Sequence, residues 1–131
     1  TSEEKLPKEL ESYKITIPYQ KIHGVLYYAS MFYGESATMA SESAVLGTPA
    51  IYLDNNGRGY TDEQESKYEI VFNFTESLED QIKSIKKGVD ILNIDKVNWD
   101  IQRKKILDEK IDVTKLIINQ CLEMVSERVK E

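Results

Sequence analysis

Between two short apolar runs, Met31-Phe32-Tyr33 and Ala50-Ile51-Tyr52-Leu53, the chain carries Gly34-Glu35-Ser36-Ala37-Thr38-Met39-Ala40-Ser41-Glu42, then Ser43-Ala44-Val45-Leu46-Gly47-Thr48-Pro49. Small and hydroxyl-bearing residues at the mouth of a helix let a ligand approach free backbone N–H groups, where the helix dipole favours negative charge. A phosphate is the natural guest. Glu42 follows about two turns into the helix, where its carboxylate can accept hydrogen bonds from a sugar diol. The same residues also suit an ordinary strand-to-helix connection with nothing bound, Glu42 then being a solvated carboxylate. Glu35 either complements the positive helix end or repels a phosphate placed there.

The elements that must position this segment alternate. Lys14-Ile15-Thr16-Ile17 reads as a short strand stopped by Pro18, and Gln20 to Ala29 as a helix with Ile22, Val25, Leu26 and Ala29 on one face. Residues 31–33, 50–53 and 70–74 read as three further strands. Asn55-Asn56-Gly57-Arg58-Gly59 is a loop, since Asn and Gly tolerate positive φ, and a short helix follows from Asp62 to about Tyr68. Ser77 with Asp80 resembles a capping box for a helix whose Leu78, Ile82, Ile85, Val89 and Leu92 form one apolar face that must pack on something. Helices over 99–107 and 112–129 complete the pattern. Strand–helix alternation predicts an α/β fold, a Rossmann-like parallel sheet of four strands flanked by helices, with ligands beyond the carboxyl ends of the strands.

The spacing from Glu42 to Gly47, then Pro49 and an apolar strand, resembles the nucleotide-sugar motif in the C-terminal domain of GT-B glycosyltransferases and of UDP-N-acetylglucosamine 2-epimerase. The run Gly-Glu-Ser-Ala-Thr-Met-Ala-Ser-Glu with Val-Leu-Gly-Thr-Pro is most similar to a prokaryotic family of unknown function related to these enzymes. The resemblance covers roughly Tyr13 to Phe74. It implies a donor-binding half-domain for a nucleoside-diphosphate sugar such as a UDP-sugar, with Ser36, Ala37 and Thr38 on the diphosphate and Glu42 on the ribose. It further implies that Ile17, Pro18 and Tyr19 frame the base and that Glu63 and Gln64 face donor-sugar hydroxyls. The chain departs from the epimerase pattern at Ala37 and Thr38, which replace two glycines, and at 55–60, where Arg58 is the lone cation.

Residues 1–131 are read as one domain, long enough for a core. Thr1 to Pro7 resemble a loop leaving a strand, so an N-terminal domain carrying any catalytic base and acceptor site is expected as a partner within a longer protein. The alternative is a non-catalytic nucleotide-binding or structural domain on the same scaffold.

With 23 acidic and 17 basic residues the net charge is −6, which opposes binding to a nucleic-acid backbone. The single cysteine, Cys121, forms no internal disulfide and is expected to be buried in an apolar helical stretch, compatible with a cytoplasmic location. No Cys/His cluster, Walker loop or Gly-x-Ser-x-Gly elbow is present, so neither a metal nor a resident cofactor is expected. No apolar run approaches the roughly 18–20 residues of a membrane span. His23, the sole histidine, sits on a helix without a partnering nucleophile and reads as structural or ligand-facing.

Overall fold

Three of the apolar runs build the sheet: β1 (Phe32–Gly34), β2 (Ala50–Leu53) and β3 (Val71–Phe74). The computed structural model, which describes residues 6–95 and 97–128, places them in the order β1-β2-β3, all parallel. β2 is buried along its whole length, as a central parallel strand covered on both faces must be. Tyr33, Ile51 and Phe72 are register partners on one face, and Gly34, Tyr52 and Asn73 on the other.

Helices follow each strand. Short α1 (Ile22–Tyr28) precedes β1; α2 (Ala37–Leu46) links β1 to β2, and α3 (Gly59–Ser66) links β2 to β3. After β3 come α4 (Leu78–Leu92), α5 (Val97–Glu109) and α6 (Val113–Arg128). Gly47 ends α2 at φ 85°, with its N–H and that of Thr48 returning to the carbonyls of Ala44 and Ser43. That left-handed position suits glycine. A Cβ there would also stand 2.7 Å from Cδ of Arg103 on α5.

The fourth expected strand does not form. Residues 14–17 run between a 3-10 turn (Lys8–Tyr13) and Pro18 without joining the ladder. Pro18 supplies no donor to extend pairing, and Ile15 and Ile17 turn instead to line a hollow with β1 and α1. Residues 1–5 of the entry loop expected over Thr1 to Pro7, and the end of the last helix at 129, lie outside the described residues.

The orientation of α4 also differs from its periodicity. Ser84, Gly88 and Ile91 face the sheet and are buried, whereas Leu78, Ile82, Ile85, Val89 and Leu92 are 55–74% exposed. Small residues let the helix backbone settle on the strands: a Cβ on Gly88 would lie 3.4 Å from Ile51 Cδ1 and from Met31 Cε, and Tyr33 Oη bonds Ser84 Oγ at 2.7 Å. Close approach is therefore set by Ser84 and Gly88 rather than by the apolar stripe. Cys121 is likewise exposed, not buried, because all of 113–126 on α6 is exposed.

Charged contacts at the helix ends define a pH window for stability. Asp54 lies below the usual carboxylate range through the Asn56 backbone N–H and the Tyr52 hydroxyl, Asp80 through the hydroxyl and N–H of Thr75, and Glu109 through Lys67 and Tyr68. Such depressed groups stabilise the fold above their ordinary values of 3.8 and 4.5, and that contribution is lost as pH falls through their folded values. Lys67, Lys83 and Lys110, raised from 10.5 chiefly by Glu109, Glu79 and Glu63, stabilise below that value and cease to as pH rises through their folded values. The melting temperature, followed by circular dichroism, is expected to be flat from about pH 5 to about pH 9.5 and to fall on both sides. A maximum confined to one end of that interval would contradict these pairings.

Candidate functional site

The carboxyl ends of the three strands share one rim. Beyond β2, Asp54 Oδ1 accepts from Asn56 N at 2.7 Å while Oδ2 accepts from the Tyr52 hydroxyl at 2.8 Å. Burial of Tyr52, then its bond to this carboxylate, raises the phenol above its usual range. Asn55 clasps the loop after β3, its amide donating to Glu76 Oε2 at 2.7 Å and its Oδ1 accepting from Glu76 N at 3.0 Å. These contacts brace the loops that follow β2 and β3.

Ser36 caps α2: its Oγ accepts from Met39 N at 3.3 Å. The Ala37 and Thr38 N–H groups, being in the first turn, have no intrahelical acceptor. Ser36 and Thr38 are exposed and Ala37 half-buried, so the first turn is accessible. It opens on a hollow of about 370 Å³ lined by Ile15, Ile17, Ile22, Leu26, Phe32, Glu35, Ser36 and Met39, among others. This volume is within the range of small-molecule sites. Of the expected site residues Ile17 and Ser36 line this cavity and Ala37 and Thr38 do not, whereas Pro18 is exposed and Tyr19 86% exposed. A larger hollow of about 660 Å³ on α1, lined by Gln20, Lys21, Gly24, Val25, Tyr28 and Ala29, is a broad, mainly apolar face without convergent polar groups.

Glu42 lies further along α2, beside a second hollow of about 230 Å³ that it lines with His23, Ser41, Val45 and Leu46. Its Oε2 is 3.3 Å from His23 Nε2. The remaining expected site residues face other partners. Glu63 pairs with Lys110 at 2.7 Å, and buried Gln64 donates from Nε2 to Ser41 Oγ at 2.9 Å. Gln64 Oε1 is buried without a hydrogen-bond partner. Arg58 turns back on its own loop, donating to the Gly57 carbonyl. The approach of His23 to Glu42 spans two helices and leaves no signal in local spacing. The Asn55–Glu76 clasp is equally non-local.

Among the described residues no group of His, Cys, Asp and Glu is placed to hold a metal ion, and no helix is long and apolar enough to cross a membrane. No family model, no curated protein and no solved structure matches the chain. The sheet and its helices define an α/β protein of Rossmann-like kind, with a three-stranded parallel sheet and a helix N-terminus open at the carboxyl end of its first strand.

Proposed function

We propose that this chain binds a nucleoside diphosphate or its sugar conjugate, in the manner of the donor-binding half of a GT-B glycosyltransferase, with a UDP-sugar as the ligand. The observation that carries the reading is the arrangement on α2: a capped, accessible first turn beside a 370 Å³ hollow, with a half-exposed carboxylate on the same helix. The diphosphate lies against the Ala37 and Thr38 N–H groups and the Thr38 hydroxyl, which stabilise charge without moving a proton. Ser36 shapes the turn through its cap. Glu42, about two turns further along α2 and beside the second hollow, accepts from the ribose hydroxyls. In a transferase the same contacts would stabilise the departing diphosphate, the acceptor and base being supplied from outside this chain.

Calorimetric titration separates the parts. Glu42→Ala is expected to weaken UDP by about tenfold or more, the equivalent of losing a charge-assisted hydrogen bond of about 1.5–3 kcal/mol, and to leave inorganic pyrophosphate within about twofold. Equal weakening of both ligands would remove Glu42 from ribose recognition, and no binding of UDP to the unaltered chain would end the proposal.

A further inference from the structure

The first turn of α1 divides the two hollows beside α2. Ile22 lines the one that Ser36 opens into, and the next residue, His23, lines the one that holds Glu42. Packing does not account for a histidine here, because its side chain is 65% exposed and the buried anchor of α1 is Leu26, whose carbonyl accepts from Thr48 Oγ1 at 2.7 Å. The Glu42 side chain is 41% exposed, and a carboxylate so exposed on a helix surface is free to change rotamer. The imidazole Nε2 lies 3.3 Å from Oε2, an ion-pair contact when the ring is protonated. A cation on a neighbouring helix, paired with one carboxylate oxygen, biases the orientation of the group and leaves the other oxygen to a ligand.

We propose that His23 is a positioning residue for Glu42, holding its carboxylate in the orientation that accepts hydrogen bonds from the ribose diol of a bound nucleoside diphosphate. The inference rests on the ribose role of Glu42 given above. It requires a hydrogen on Nε2, which the imidazolium and one of the two neutral tautomers carry. The neighbouring helix thereby acts on nucleotide recognition without touching the nucleotide. The gain is in orientation rather than in an added ligand contact.

The test compares UDP with 2′,3′-dideoxy-UDP on the unaltered chain and on His23→Ala, His23→Gln and Glu42→Ala, by calorimetry after circular dichroism has shown each to be folded. The unaltered chain should prefer UDP by roughly tenfold or more, and Glu42→Ala should abolish the preference. His23→Ala should shrink it about 3- to 10-fold while dideoxy-UDP binds as before, and His23→Gln, which keeps a donor amide, should restore most of it. A full preference in Glu42→Ala, or no binding of UDP to the unaltered chain, would overturn the ribose reading and this inference with it. Loss of preference in Glu42→Ala but not in His23→Ala would overturn the positioning role alone, as would equal weakening of both ligands by His23→Ala.

Discussion

Ile51→Ala is expected to destabilise the chain by about 2–5 kcal/mol, toward the upper end of the range for a buried aliphatic truncation. Ile51 is fully buried at the centre of β2, the one strand with a neighbour on each side. Its cost depends on whether the surroundings can collapse into the space left behind. Above it lies α4, and an added Cβ at Gly88 would be only 3.4 Å from Ile51 Cδ1, so the wall is helix backbone already held by the Tyr33–Ser84 bond. Backbone in a formed helix cannot rotate inward as a side chain can, so on that side only Met31, beside the same point, can move into the space. Urea unfolding should show a lower midpoint with an unchanged slope, whereas Ile51→Val should cost about 0.5–1.5 kcal/mol. A loss below about 1 kcal/mol for Ile51→Ala would mean that α4 does not seat on the sheet in this way.

The same helix shows what a sequence conveys and what it does not. The cap of α4 was legible, because Ser77 acts through its own backbone neighbourhood, accepting from Asp80 N. In the sequence Ser36 reads as a phosphate contact and Gly47 as part of a spacing, and their roles as cap and terminator of α2 come from the structure. β2 was legible because an unbroken apolar run flanked by turn residues suits a strand covered on both faces. The face of α4 that meets the sheet was not, since periodicity marks where apolar residues lie and not which face can come closest. Lys14 to Ile17 has the composition of a strand, but strand formation needs a partner edge, and Ile15 and Ile17 line a hollow instead. Within the site, Ser36, Ala37, Thr38 and Glu42 share one helix and could be read together. His23 reaches Glu42 only through the packing of α1 on α2, and Gln64 meets Ser41 through the packing of α3 on α2.

Tyr68→Ala is expected to cost about 3–5 kcal/mol, as for large aromatic truncations, and to loosen α5 before the sheet itself unfolds. Tyr68 follows α3 and is 1% exposed, and its hydroxyl donates to Glu109 Oε2 at 3.0 Å, on the last turn of α5. Three ammonium groups surround the ring, those of Lys67, Lys105 and Lys110 at 5.2–5.7 Å from its centre. Lys67 also pairs with Glu109, and Lys105 donates to the Lys67 carbonyl at 2.7 Å. Exposed pairs of this kind contribute little singly. The ring they converge on supplies the apolar surface, so removing it leaves α5 attached through Trp99, Ile106 and the Arg103 contact with α2. Tyr68→Phe, which keeps the ring and loses only the hydroxyl, should cost about 1 kcal/mol. Trp99, the sole tryptophan, lies buried on α5 edge-to-face with Phe72 at 6.3 Å, so its emission reports whether α5 is docked. Under native conditions the emission of Tyr68→Ala should shift to the red while that of Tyr68→Phe does not. An unshifted spectrum together with the full stability loss would show that Tyr68 supports β3 alone and does not anchor the helix.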